Sequence, residues 1–321
     1  MVLSTTALLS FTPVSNAAAL VLAELGVGMF FVAGVARAFI GDSAPWFVLV
    51  VCALSIIVRA IDIESWAFLM PGGLVARTER VFGPRAGSIA MAVMLTERLL
   101  LVALSSVLCM QYALSFAAGW MAQWTVTSRL TLQELVLTGA IVLVAMLWTR
   151  SRFRLQIPAL AVIRGIWVGI LILLGLVIFG VVTIIRRDPA SLSAVLVPPW
   201  STTPEASLLG HAVQLLAGLG LVLPILGGGG ALGRAAREFA PPRGQSVRRT
   251  AFLVALLVSI LAVLSAFLFV GLVPPIEAEL WTATPLSAIA QYVSVPAWLT
   301  GLLTVLVLGA SLLLLVPAAK A

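Results

Sequence analysis

Leu223–Arg249, LPILGGGGALGRAAREFAPPRGQSVRR, is the stretch that decides how this chain folds. It begins inside an apolar run long enough to cross a bilayer. Pro224 and four consecutive glycines, Gly227 to Gly230, interrupt that run. It leaves as a basic segment carrying Arg234, Arg237, Arg243, Arg248 and Arg249. Glycine lacks a Cβ and holds a helix poorly, at roughly 1 kcal/mol per residue relative to alanine, so a run of them favours a break. In hydrocarbon, unwound backbone is tolerated only where it is buried in protein or lines a cavity. A membrane helix broken here is therefore a candidate binding site.

The rest of the chain fits a membrane setting. Of its 321 residues, 62% are hydrophobic and 10% are charged, with a mean hydropathy of +1.17; a soluble domain carries about 25% charged residues. The formal charge of +7 comes from 19 basic against 12 acidic residues. The arginines lie mostly between apolar runs, which reads as membrane topology rather than nucleic-acid binding. Cys52 and Cys109 sit inside apolar runs and read as packing residues, not a disulfide framework. The N-terminus has no basic region ahead of a short apolar core, so no cleaved signal peptide is expected.

Eight hydrophobic segments are each near the ~20 residues needed to span a bilayer. They run over about 17–38, 45–70, 86–116, 131–149, 157–185, 207–233, 249–273 and 294–317. All should be helices, because an open strand leaves backbone groups unsatisfied in lipid. The predicted class is an all-α membrane protein in one transporter domain, 1–321. The connection 186–206, rich in proline, reads as a long loop on the outer face.

The connecting charges alternate. Arg77, Arg80 and Arg85 follow segment two, Arg150, Arg152 and Arg154 follow segment four, and the five arginines above follow segment six. The other side holds Arg37, Arg129, Arg186 and Arg187, with Glu277 and Glu279 in its last loop. The richer side is expected in the cytoplasm of a cell whose plasma membrane the protein spans, and the N-terminus with it.

Segment one carries its own interruption, Leu25-Gly26-Val27-Gly28-Met29. Leu22, Leu25, Gly26 and Gly28 fall in register with Leu223, Leu226, Gly227 and Gly229. Segments one and six are an odd number of crossings apart, so they run in opposite directions. The match has the form of an inverted repeat of five helices, 17–185, with a partial second repeat of three, 207–321. Glycines at a tight helix–helix contact are the alternative reading of Gly26 and Gly28. If both helices break, one half ends in free carbonyls that suit a cation or ammonium. The next half begins with free N–H groups that suit a carboxylate. A zwitterionic amino acid satisfies both ends.

Intramembrane charges are costly and point to function or to pairing. Glu24 lies just before the first break and is a candidate coupler for a proton or another cation; a structural ion pair with Arg98 is the alternative. Glu97 and Arg98 are neighbours in segment three and point about 100° apart around the helix. Arg59 and Asp62 share a face of segment two and are expected to pair, as are Glu64 and Arg164 with charges nearby. His211 reads as an interfacial or gate-side residue. One histidine, with no HExxH and no recognised Ser–His or Cys–His spacing, leaves an enzyme unsupported, and no cofactor or metal is expected.

Three motifs together resemble the amino acid–polyamine–organocation (APC) superfamily of permeases. Gly26-Val27-Gly28-Met29-Phe30 is similar to its first-helix Gly-x-Gly-x-Phe. Met70-Pro71-Gly72-Gly73, then Phe82-Gly83-Pro84, resembles its Pro-x-x-Gly-Gly and Phe-Gly-Pro signature in compressed form. Gly227–Arg243, with Glu238 and Pro242-Arg243, is similar to its glycine-broken sixth helix and amphipathic exit. The resemblance implies a LeuT-like fold of five-plus-five helices with the solute between helices one, three, six and eight. On that match Gly26, Val27, Gly28 and Gly227, Gly228, Gly229 and Gly230 would meet the solute through backbone. Glu97 to Ser105 also resembles a third-helix pattern of a branch that imports potassium or amino acids. There Glu97, Arg98 and Leu101 would face the site, with Arg98 and Leu101 replacing a tyrosine and a threonine. A cation such as Arg98 would repel potassium, which leaves a small organic solute, amino-acid-like, as the expected partner, with a proton or sodium as coupling ion and membrane lipid around it. A receptor or scaffold derived from a permease is the reading from another class. The family has at least ten helices, so eight read as a fragment of a longer protein or a shortened paralogue.

Overall fold

The structure is a computed structural model that describes residues 14–68, 73–121, 132–152, 159–187, 208–227, 243–296, 299 and 301–302. Every described element is a helix. In chain order they are α1 (Val14–Ile40), a 3₁₀ turn (Gly41–Ser43), α2 (Ala44–Phe68), α3 (Gly73–Phe82), α4 (Pro84–Met121) and α5 (Leu132–Arg152). They continue with α6 (Ala159–Arg187), α7 (Leu208–Gly227), α8 (Arg243–Leu272), α9 (Pro275–Ala278) and α10 (Pro285–Tyr292).

Predicted segments one to seven correspond to α1, α2, α4, α5, α6, α7 and α8. The eighth, 294–317, lies almost wholly outside the described residues. The outer surfaces of these helices stay apolar: Leu171 and Leu216 of α6 and α7, and Ile141 and Phe252 of α5 and α8, are all exposed. Such faces are stable only against lipid or a partner. The chain is an all-α membrane protein.

α1 is the centre of the described bundle. It packs most extensively on α8, then on α7 and α2. Phe30, Val32, Leu226, Leu261, Phe269 and Ile289 meet in a shared core and are all but fully buried. α4 instead packs mainly against α3 and α5.

Local chemistry sets the joints. Gly41 is left-handed at φ 66° and ends α1; Gly83, at φ 87°, ends α3. The Gly83 N–H donates to the Glu79 carbonyl at 2.8 Å, as a left-handed glycine does at a helix C-terminus. Pro84 then starts α4, where its missing N–H costs nothing. The Phe-Gly-Pro motif is thus a helix stop followed by a helix start. α3 corrects the reading of the segment between spans two and three as loop: Arg77 and Arg80 lie on a ten-residue helix. The last loop is likewise partly helical. Pro275 and Pro285 each open a short helix, and Glu277 accepts a hydrogen bond from the Tyr292 hydroxyl. That bond, with the adjacent carboxylate charge, raises the Tyr292 phenol above its usual pKa.

Candidate functional site

Of the two expected helix breaks, only the first lies wholly within the described residues. α1 runs unbroken from Val14 to Ile40, through Gly26-Val27-Gly28. This corrects the expectation of an unwound first helix. Two glycines separated by valine cost roughly 2 kcal/mol of helix propensity. Opening a turn in an apolar surrounding would leave several backbone groups unpaired, at several kcal/mol each. Gly28 is buried. The side chains of Glu24 and Val27 lie outside the described residues.

α7 is described up to Gly227, the first of the four glycines, and α8 from Arg243. The expected break at Gly228, Gly229 and Gly230 lies outside the described residues. Pro224, expected to help break the run, sits inside α7. Close by, the Leu226 carbonyl of α7 accepts from Ser55 Oγ at 3.1 Å and from the Arg59 guanidinium. Ser55 and Arg59 are four apart, on one face of α2, and both are buried. This contact gives Arg59 a partner that its spacing to Asp62 did not suggest; the Asp62 and Glu64 side chains lie outside the described residues.

A second buried arginine does the same at the other end of the bundle. Arg37 Nη1 donates to the carbonyls of Phe269 and Val273 at 3.1 and 2.9 Å. Its Nη2 meets Asp42 Oδ1 at 3.2 Å, and its guanidinium lies 5.4 Å from the centre of the Phe269 ring. A cation at a helix C-terminus is favoured by the free carbonyls and by the helix dipole. Arg37, read in the sequence as a loop-side charge, is a buried clamp between α1 and the end of α8.

Tyr112 joins three elements. Its hydroxyl donates to the Phe30 carbonyl of α1 at 2.5 Å and accepts from the Leu286 N–H of α10 at 3.3 Å. Its ring meets Phe30 edge-on, centroids 5.2 Å apart. α10 has no side-chain cap at Thr284, and Pro285 has no N–H to donate. The Tyr112 hydroxyl therefore does the work of an N-cap from a distant helix. Tyr112→Phe leaves the buried Leu286 N–H without that acceptor, at a cost of about 1–3 kcal/mol. A lower melting temperature of the purified protein in detergent is the expected result; an unchanged one would mean that the hydroxyl caps nothing.

Glu97, Arg98 and Leu101 all lie on α4, with their side chains outside the described residues. Leu99 and Leu100 between them are exposed. α4 approaches α1 at Tyr112, well along the helix from Glu97. The described contacts join α1 and α2 to each other and to both α7 and α8.

The family profile described as amino acid permease matches residues 3–319. The chain belongs to the amino acid permease family. Comparison with curated proteins gives no match. The permease is an integral membrane transporter of the APC type. Sequence reasoning singled out the tetraglycine but not the α2 residues that meet the Leu226 carbonyl. The available signal was two polar residues, Ser55 and Arg59, one turn apart inside an apolar run.

Proposed function

We infer that the permease moves an amino acid or a related small organic solute across the cytoplasmic membrane, coupled to protons, by alternating access around its first and sixth membrane helices. One observation carries this reading: a membrane helix of a permease-family chain runs into four consecutive glycines at Gly227. Half-helix ends at membrane depth offer fixed dipoles to a charged solute. Gly26, Val27 and Gly28 would face the solute from the α1 helix surface, alongside Gly227 to Gly230, with Glu97, Arg98 and Leu101 opposite on α4. The arginine-rich connections favour a cytoplasmic N-terminus.

Glu24 takes the coupling role, as an acidic side chain two residues before Gly26 in the helix at the centre of the bundle. Its substitution tests the reading. In liposomes holding the full-length protein, an inward proton gradient is expected to drive uptake of a labelled amino acid. Glu24→Gln should abolish the gradient-driven part while the protein still elutes as a single folded species. Unchanged uptake by the variant would remove Glu24 from coupling. No uptake of any amino acid by the wild type would remove the transport reading.

A further inference from the structure

We propose that the corner where α3 turns into α4 is a docking surface for anionic phospholipid. Val81 and Phe82 seat among the upper acyl chains, and Arg80 and Arg85 meet the headgroup phosphates. The inference needs only that the chain is a membrane protein, and it is independent of the transported solute.

Two glycines build the corner. Gly83, left-handed at φ 87°, ends α3. Gly87 then lets the two helices close up: a Cβ there would lie 2.7 Å from the Glu79 Cβ and 3.2 Å from its Cα. α3 therefore folds back beside the first turn of α4 instead of running on into water. The apolar surface of α4 starts at once, with Ile89, Met91 and Val93 all exposed. Ile89 lies about 6 Å along the helix from Arg85, at 1.5 Å per residue. That places the corner at the edge of the apolar belt, level with the headgroups. Phe82 is 76% exposed there and Val81 59%. Arg80 and Arg85 are exposed beside them, and neither forms an ion pair among the described residues. Apolar side chains next to arginines are the pattern of a helix lying in the interface. An arginine there rests its stem on apolar surface and keeps its head at the phosphates. Its planar fork matches phosphate oxygens. Glu79 is exposed in the same corner and offsets one charge, which leaves two guanidinium groups against one carboxylate. A zwitterionic headgroup brings its own cation to that excess, whereas an anionic one does not. Continuity with the exposed apolar side of α4 favours lipid over a protein partner.

The test offers the full chain, purified in detergent, an equimolar mixture of phosphatidylglycerol and phosphatidylethanolamine. Lipids retained by the intact protein are then counted by mass spectrometry. The wild type is expected to keep phosphatidylglycerol in preference. Near a membrane surface each arginine contributes about a fivefold preference for anionic lipid. Arg80→Gln/Arg85→Gln should therefore lose most of the preference. Arg164→Gln/Arg249→Gln, which removes two exposed arginines elsewhere, should keep it. Phe82→Ser should retain less of both lipids at an unchanged ratio. If Arg80→Gln/Arg85→Gln does not fold, the two single variants decide, each with an expected loss of about fivefold. Three results overturn the proposal: no preference in the wild type, equal loss in both double variants, or wild-type retention of both lipids by Phe82→Ser. A dimer that Phe82→Ser dissociates overturns it too, since a second copy would then cover the corner. So does displacement of phosphatidylglycerol by soluble glycerol phosphate at matching concentration, which would mark a free-phosphate site.

Discussion

Replacing Gly34 by alanine is expected to destabilise the permease, against the usual trend inside a helix. Alanine is ordinarily better than glycine there by about 1 kcal/mol. At Gly34, however, a Cβ would sit 2.0 Å from the Thr282 carbonyl oxygen and 2.8 Å from its carbon. Those atoms are backbone, so no side chain can swing aside. The turn that carries Thr282 is held by the hydrogen bonds of Thr282 to Glu279 and of Thr284 to Trp281. It leads directly into α10, whose start is tied to Tyr112. Pushing the turn outward therefore strains the Tyr112 contact as well. Overpacking of this kind costs roughly 1–3 kcal/mol for one methyl group and more for a larger one. Gly34→Ala should lower the melting temperature, and Gly34→Val should lower it further. Gly175, in α6, has nothing within 4 Å of its Cβ position, so Gly175→Ala should be neutral or slightly stabilising. If Gly34→Ala is as stabilising as Gly175→Ala, α1 does not approach the turn as closely as described.

How much of this was legible in the sequence depends on the range of the interaction. The spans from α1 to α8 were legible because hydrocarbon thickness fixes the length of an apolar run, and nothing distant can override it. The tetraglycine stands out in the sequence because four glycines act locally. Gly26 and Gly28 were ambiguous for the same reason in reverse. Two glycines are weak enough for packing to decide, and α1 stays helical across them. The short helices α9 and α10 had a signal in Pro275 and Pro285, each at a favoured helix start, but their place against α1 did not. The arginines show the limit most clearly. Spacing along α2 offered Asp62 to Arg59, but gave no sign of the carbonyl that it also meets on α7, 167 positions away. Arg37 similarly reaches Phe269 and Val273, at the far end of α8. Carbonyls leave no mark in a sequence, so a side chain whose partner is a distant helix end reads as unpaired.

Gly228→Leu should abolish solute binding by the full-length permease while leaving it folded. Glycine next to a helix end serves where backbone must come close to a ligand. A leucine side chain in the middle of the tetraglycine would occupy that approach and would also favour continued helix by roughly 1 kcal/mol. Both effects oppose a site built from the ends of a broken helix. Stability need not suffer, because leucine is compatible with an apolar surrounding. The control lies in α7: Gly220 is exposed, and its Cβ position has nothing within 4 Å. Gly220→Ala should therefore bind solute like the wild type. Binding is best read as the rise in melting temperature on adding an amino acid, since that measure does not depend on coupling or orientation. Loss in Gly228→Leu and retention in Gly220→Ala separate a glycine needed at a site from one that merely lies in a membrane helix. Equal binding by both would make Gly227–Gly230 a packing feature, and the solute site would have to be sought away from the end of α7.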